Sequence, residues 1–262
     1  MYSPLQNIAV WFAAWLHGQI SADECIDALD ELGGRTYLIG TDPDEPAAQL
    51  ELLKLVRRLG EAHLASTDPV VRLVLSGPGE AIGLRAGSES YRAAQAAGHG
   101  ALVFPGESTF SHHVLVPVHW RDGVMGFQHF EEHEAAPAPA YLSPGEADLL
   151  LADATRAAAD FISSSSVRQA DLHNPRLTVG TLSDFYDTPG LPFCTPPRAA
   201  KLFARADRVA AIIETVGTHV GGASFDPHVL PLMRHVRLAR MSGVAYAAAE
   251  LARLNDGPSS TY

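Results

Sequence analysis

Five histidines and three glutamates crowd one stretch of the chain, Ser111 to Glu134, SHHVLVPVHWRDGVMGFQHFEEHE. Apolar runs from Val114 to Trp120 and from Val124 to Phe130 flank Asp122-Gly123, a dipeptide suited to a tight hairpin turn because both central residues need positive φ. The register that follows sets Arg121 against Val124, Val118 against Phe127, Val116 against His129 and His112 against His133. Directly opposed strand residues hold their Cβ atoms about 4.5 to 5.5 Å apart, close enough for two imidazoles to share one ion. His112, Glu131 and His133 are therefore the candidate metal ligands, and His113, His99 or Glu134 could complete the set. Imidazole with carboxylate suits zinc, nickel or non-haem iron, and fewer than four protein ligands leaves a position for water. Against this stands the simpler account, in which histidines and glutamates gather where a hairpin leaves the core for solvent.

A second group lies on the final helix, where Arg234, Arg237 and Arg240 recur every three residues and share one broad sector. Such a stripe is a candidate anion site for a phosphate, a carboxylate or the chain's own acidic part. A solvated helix face with interdomain ion pairs is the simpler account. Other chemistry finds little support. The glycines at 77, 79 and 83 miss the dinucleotide spacing by one place, and no G-x-S-x-G, S-x-x-K, H-E-x-x-H or Walker pattern occurs. Cys25 and Cys194 stand far apart without a CxxC, which indicates neither a disulfide framework nor a structural zinc site and fits a reducing cytoplasm.

The elements that must position these groups are legible in turn. Pro4 to Leu16 reads as a helix with Ile8, Trp11, Phe12 and Trp15 at helical spacing. Ser21-Ala-Asp-Glu24 is a capping box opening a second helix that Gly33 ends. A strand at Arg35 to Thr41, a helix from about Pro46 to Leu64, strands at Val70 to Leu75 and Ala81 to Leu84, a helix from Ser88 to Ala97 and a strand at Ala101 to Phe104 lead into the hairpin. Within the hairpin, Val114, Val116, Val118, Trp120, Met125 and Phe127 should share the core face, leaving Leu115 and Phe130 on a mixed, partly open one. Beyond it, Ser143-Pro-Gly-Glu146 caps a long helix, and Leu177 to Val179 could form a short strand. Thr195-Pro-Pro opens a helix to about Val216, and a last helix runs from Asp226-Pro227 towards Leu254.

The order of elements implies an α+β fold, a mainly antiparallel sheet with helices packed against it, followed by a mostly helical C-terminal part. The four-serine run at 163–166 suggests a boundary between an α+β domain, 1–165, and a helical subdomain, 166–262. At 262 residues and 47% hydrophobic composition the chain can bury a sizeable core. A net charge of -11 argues against general nucleic-acid binding. The charge is uneven: residues 1–165 carry 9 Lys and Arg against 22 Asp and Glu, and 166–262 carry 10 against 8. The apolar run from Ile8 to Leu16 is too short to span a membrane. The reading that follows is a soluble cytoplasmic binding or scaffolding protein without catalysis and without a cofactor. Leu115, Phe130 and the tryptophan-bearing first helix would offer apolar surface to a second copy, making a homo-oligomer. The alternative is a metal-dependent hydrolase or oxygenase using His112, Glu131 and His133 with zinc or iron. A third option is an anion-responsive regulator working through the arginine stripe.

Overall fold

The computed structural model describes residues 4–45, 47–66, 68–77, 83–98, 100–121, 123–139, 142–164, 190–219 and 226–255. The first helix, α1 (Leu5–Leu16), is buried along its whole length except at half-buried Trp11. It packs against α2 (Ala22–Gly33), α3 (Ala48–Glu61) and the last helix, α7 (Asp226–Asn255). Spacing alone suggested one packing face with tryptophan to offer. Instead the apolar residues point all round, and a helix of that kind belongs in the middle of a core. Its side-chain donors find partners: Gln6 Nε2 donates to Asn7 Oδ1 at 2.9 Å, and Asn7 Nδ2 and Trp11 Nε1 both donate to the Gly190 carbonyl.

Five strands form one mixed sheet in the order β1 (Arg35–Leu38), β5 (Val124–Glu132), β4 (His112–Arg121), β3 (Ala101–Pro105) and β2 (Arg72–Val74). Only the β1–β5 pairing is parallel. Gly34 (φ +78) makes that pairing accessible, because a Cβ there would lie 2.0 Å from the Gly123 carbonyl oxygen, which instead accepts from Arg35 N at 3.0 Å. Of the strand expected at Ala81 to Leu84, Gly83 and Leu84 belong to no strand, and 81–82 fall outside the described residues. Leu84 packs beneath the sheet beside α4 (Glu89–Ala97). The strand expected at Leu177 to Val179 also falls outside them.

Both faces of the sheet are covered. Leu102, Phe104, Leu115, Met125 and Phe127 face α1, α2, α3 and α7, while Val103, Val114 and Val116 face α4. Leu115 is therefore wholly buried and Phe130 half-buried, so the open mixed face expected of the hairpin is absent. Local capping is as the residues dictate. Ser21 and Glu24 close a capping box on α2, and Ser143 and Glu146 do the same for α5 (Pro144–Ser164). Gly98 ends α4 in the left-handed region.

Helix α5 packs with α6 (Pro197–His219) and the first half of α7 around Leu151, Ala206, Val236 and Ala239. The second half of α7, through Val244, Ala247, Ala248 and Leu251, enters the main core beside α1. One continuous helix thus joins the two packing units. Gly243 marks the crossover, where a Cβ would lie 2.4 Å from Phe203 Cε1 of α6.

Candidate functional site

The hairpin forms where expected, but in a different register. Arg121 opposes Val124, and then Trp120 is bulged out, so that His119 opposes Met125, Val116 opposes Gln128, Leu115 opposes His129, His113 opposes Glu131 and His112 opposes Glu132. Because side chains alternate with period two, one inserted residue moves every later pair on β4 to the other face. His112 is thereby parted from Glu131 and His133. It is 3% exposed, and its Nδ1–H donates to the Glu134 carbonyl at 2.8 Å, a contact that fastens the chain after β5 to the sheet. Glu132, its opposite neighbour, accepts from Ser90 Oγ at 2.6 Å and anchors the start of α4. Glu134 pairs with Arg85, and His99 lies outside the described residues.

The face that His112 left is occupied by His113. His129 stands diagonal to it, and the two rings meet with His129 Nε2 3.2 Å from His113 Nδ1 and centroids 5.3 Å apart. They line a cleft of about 600 Å³ between α3 and the end of the hairpin. Glu131 and His133 lie on the same wall, Arg58 and His63 come from α3 and the turn after it, and Glu107, Ser108 and Ser111 come from the loop before β4. Burial pushes both imidazoles below the ordinary histidine range, offset in part by the Glu131 carboxylate. Burial thus favours the neutral form of both rings, the form that carries a lone pair for a ligand. Among the described residues, no three His, Cys, Asp or Glu groups already converge on one point where an ion would sit.

Of the candidate metal set, then, Glu131 and His133 reach this cleft and His112 does not. His113 was in reach of the sequence as a third ligand, whereas His129 was assigned to Val116 because nothing in the chain announces a bulge at Trp120. Arg58, His63 and Glu107 arrive from distant segments and carry no local signal.

The arginine stripe is divided as well. Arg234 is exposed, while Arg237 and Arg240 are 4% and 3% exposed. Arg240 Nη2 donates to Asp207 Oδ1 of α6 at 2.6 Å. Arg237 sets its guanidinium against Gly77, where a Cβ would lie 2.2 Å from Nη1. Spacing by three kept them in one broad sector, and α7 buries the part holding Arg237 and Arg240 against α6 and β2.

No helix among the described residues is long and apolar enough to cross a membrane. No solved structure matches the chain. The chain is 28% identical to Uncharacterized protein MT1533 and to Uncharacterized protein Rv1486c of two Mycobacterium tuberculosis strains, CDC 1551 / Oshkosh and ATCC 25618 / H37Rv, covering 93% of this chain and 96% of each relative. It is 27% identical to Uncharacterized protein ML1804 of Mycobacterium leprae strain TN, over 93% of this chain and 97% of that one. Residues 6–142 match the family model described as Rv1486c-like protein, N-terminal domain, and residues 145–241 match the corresponding C-terminal domain. The chain belongs to the Rv1486c-like protein family.

Proposed function

We propose that this is a non-catalytic binding protein whose ligand seat is the histidine cleft, and that the ligand is a divalent transition-metal ion such as zinc. The contact between His113 and His129 carries the reading. Zinc–nitrogen bonds of about 2.0–2.1 Å in tetrahedral geometry set two nitrogen ligands about 3.3 Å apart, and the two ring nitrogens lie 3.2 Å apart. A modest rotation of each ring, with the proton of the donating nitrogen moved to that ring's other nitrogen, turns a shared hydrogen bond into an edge of a coordination sphere. Neutral imidazole is the protonation state that binds metal. Glu131, opposite His113, and His133, two residues further on, are the groups that would swing in to complete the set. Two placed ligands and two that must swing in suit reversible binding. A hydrolase or oxygenase built from the same groups would need three fixed ligands around an open position.

Protein without a histidine tag should bind one zinc or cobalt ion by calorimetry, with the visible absorption of tetrahedral cobalt. His129→Ala should weaken binding by at least about tenfold, the loss typical when support around a metal is removed, and His112→Gln should leave it unchanged. Absence of stoichiometric binding, or equal binding by the His113→Ala/His129→Ala protein, refutes the reading. We place the protein in the cytoplasm because both cysteines are free thiols, with Cys25 pushed up to about 12 by burial and correspondingly inert.

A further inference from the structure

We infer that the outer face of α6 is the contact surface for a second copy of this chain, and that it docks on the acidic face of that copy's α2. Arg198, Lys201, Arg205 and Arg208 follow one another at steps of three, four and three, so a single helical face carries all four, and all four are exposed. They form one wall of a groove of about 960 Å³ between α5 and α6, floored by Leu202, Val209 and Ala152. Exposed Ile212 adds to the apolar lining. Asp148 of α5 answers one of the four, accepting from Arg205 at 2.9 Å.

An apolar floor beside a cationic wall fits a helix with carboxylates along one side. The chain has such a helix in α2, which carries no base and exposes Asp23, Asp27 and Glu31 at steps of four. At 1.5 Å per residue these carboxylates span about 12 Å, and the cations of α6 span about 15 Å. Partly exposed Ala22 and Ile26 border the acidic stripe and give the floor an apolar counterpart. The division of charge between the halves of the chain points the same way, since each acidic N-terminal part is attracted by the other copy's C-terminal part. Two copies related by a two-fold axis make this contact twice and close the assembly. A nucleic acid is the less suitable occupant, because the net charge of -11 repels a polyanion beyond the stripe itself.

Sedimentation velocity of the full chain tests this. At about 100 µM in low salt a dimer is expected, dissociating by mass action on dilution and weakened at least about tenfold in high salt. Lys201→Glu/Arg208→Glu should be monomeric, as should Asp27→Lys/Glu31→Lys; all four positions are on the surface, so folding is unaffected by either pair. Mixing the two variants, each now complementary to the other, should restore the dimer. A monomer at that concentration in low salt, a dimer indifferent to either reversal, or failure of the mixture to associate overturns the inference. So does a monomer whose DNA binding is lost in Lys201→Glu/Arg208→Glu, which would assign the stripe to phosphate.

Discussion

Replacing Asp207 by Asn offers the clearest test of how the C-terminal helices are held together. Asp207 on α6 and Arg240 on α7 meet at 2.6 Å with side chains 10% and 4% exposed. Desolvating both ions is costly, so the pair as a whole adds little to stability. Removing one member is another matter, because it takes from the other buried charge the 2.6 Å ionic partner that offsets its desolvation, at a cost of about 3–5 kcal/mol. Asn keeps the shape and one acceptor, which places Asp207→Asn near the lower end, about 3 kcal/mol. With a urea slope of about 3 kcal/mol/M, the unfolding midpoint should fall by about 1 M. Arg240→Met alone should cost comparably less than Asp207→Asn, since it leaves a carboxylate that can take up a proton and become neutral. Asp207→Leu/Arg240→Met together should be close to wild type or slightly above it, because neither charge remains to be desolvated. Urea unfolding followed by circular dichroism measures all three. If Asp207→Asn matches the wild type while the double variant is the damaged one, the pair is not the buried ionic contact described, and Arg240 must be reconsidered as an anion seat.

Gly243→Ala separates local preference from packing. Alanine is favoured over glycine by about 1 kcal/mol inside a helix, yet its Cβ would press on buried Phe203. Overpacking of about 1–3 kcal/mol should win, so the melting temperature should drop, and a rise would contradict the close α6–α7 crossing. At the start of α2, the Ser21 backbone and hydroxyl hold the Glu24 carboxyl below the ordinary glutamate range. A carboxylate with a lowered folded pKa stabilises above its unfolded pKa, and that contribution is lost as pH falls through the folded value. Ser21→Ala should cost about 1 kcal/mol at neutral pH. Part of the deficit should fade towards pH 3, and an NMR titration should find the Glu24 pKa raised only part of the way towards its ordinary value, because the backbone N–H at position 21 still donates to the carboxylate. A deficit that does not depend on pH would show that the hydroxyl's contact with the Glu24 carboxylate contributes nothing.

What the amino-acid order determined by itself is whatever depends on neighbours a few residues apart. The boxes at Ser21 and Ser143, the stop at Gly98, the place of the hairpin around Gly123 and the lengths of most helices follow from hydrogen bonds and backbone freedom within one turn. The α+β layout follows from the order of those pieces. Everything that needed two distant segments to meet was left to the tertiary structure. The parallel seam between β1 and β5, the enclosure of α1 and the burial of Arg237 and Arg240 are decided by what packs against them. The candidate site shows the same division most sharply. Its histidines and glutamates stand together in the chain, but which of them meet depends on the bulge at Trp120. An alternating ladder carries a single inserted residue through to every later pair. That exchange removed His112 from the cleft and set His113 beside His129, where α3 and the loop before β4 bring Arg58, His63 and Glu107.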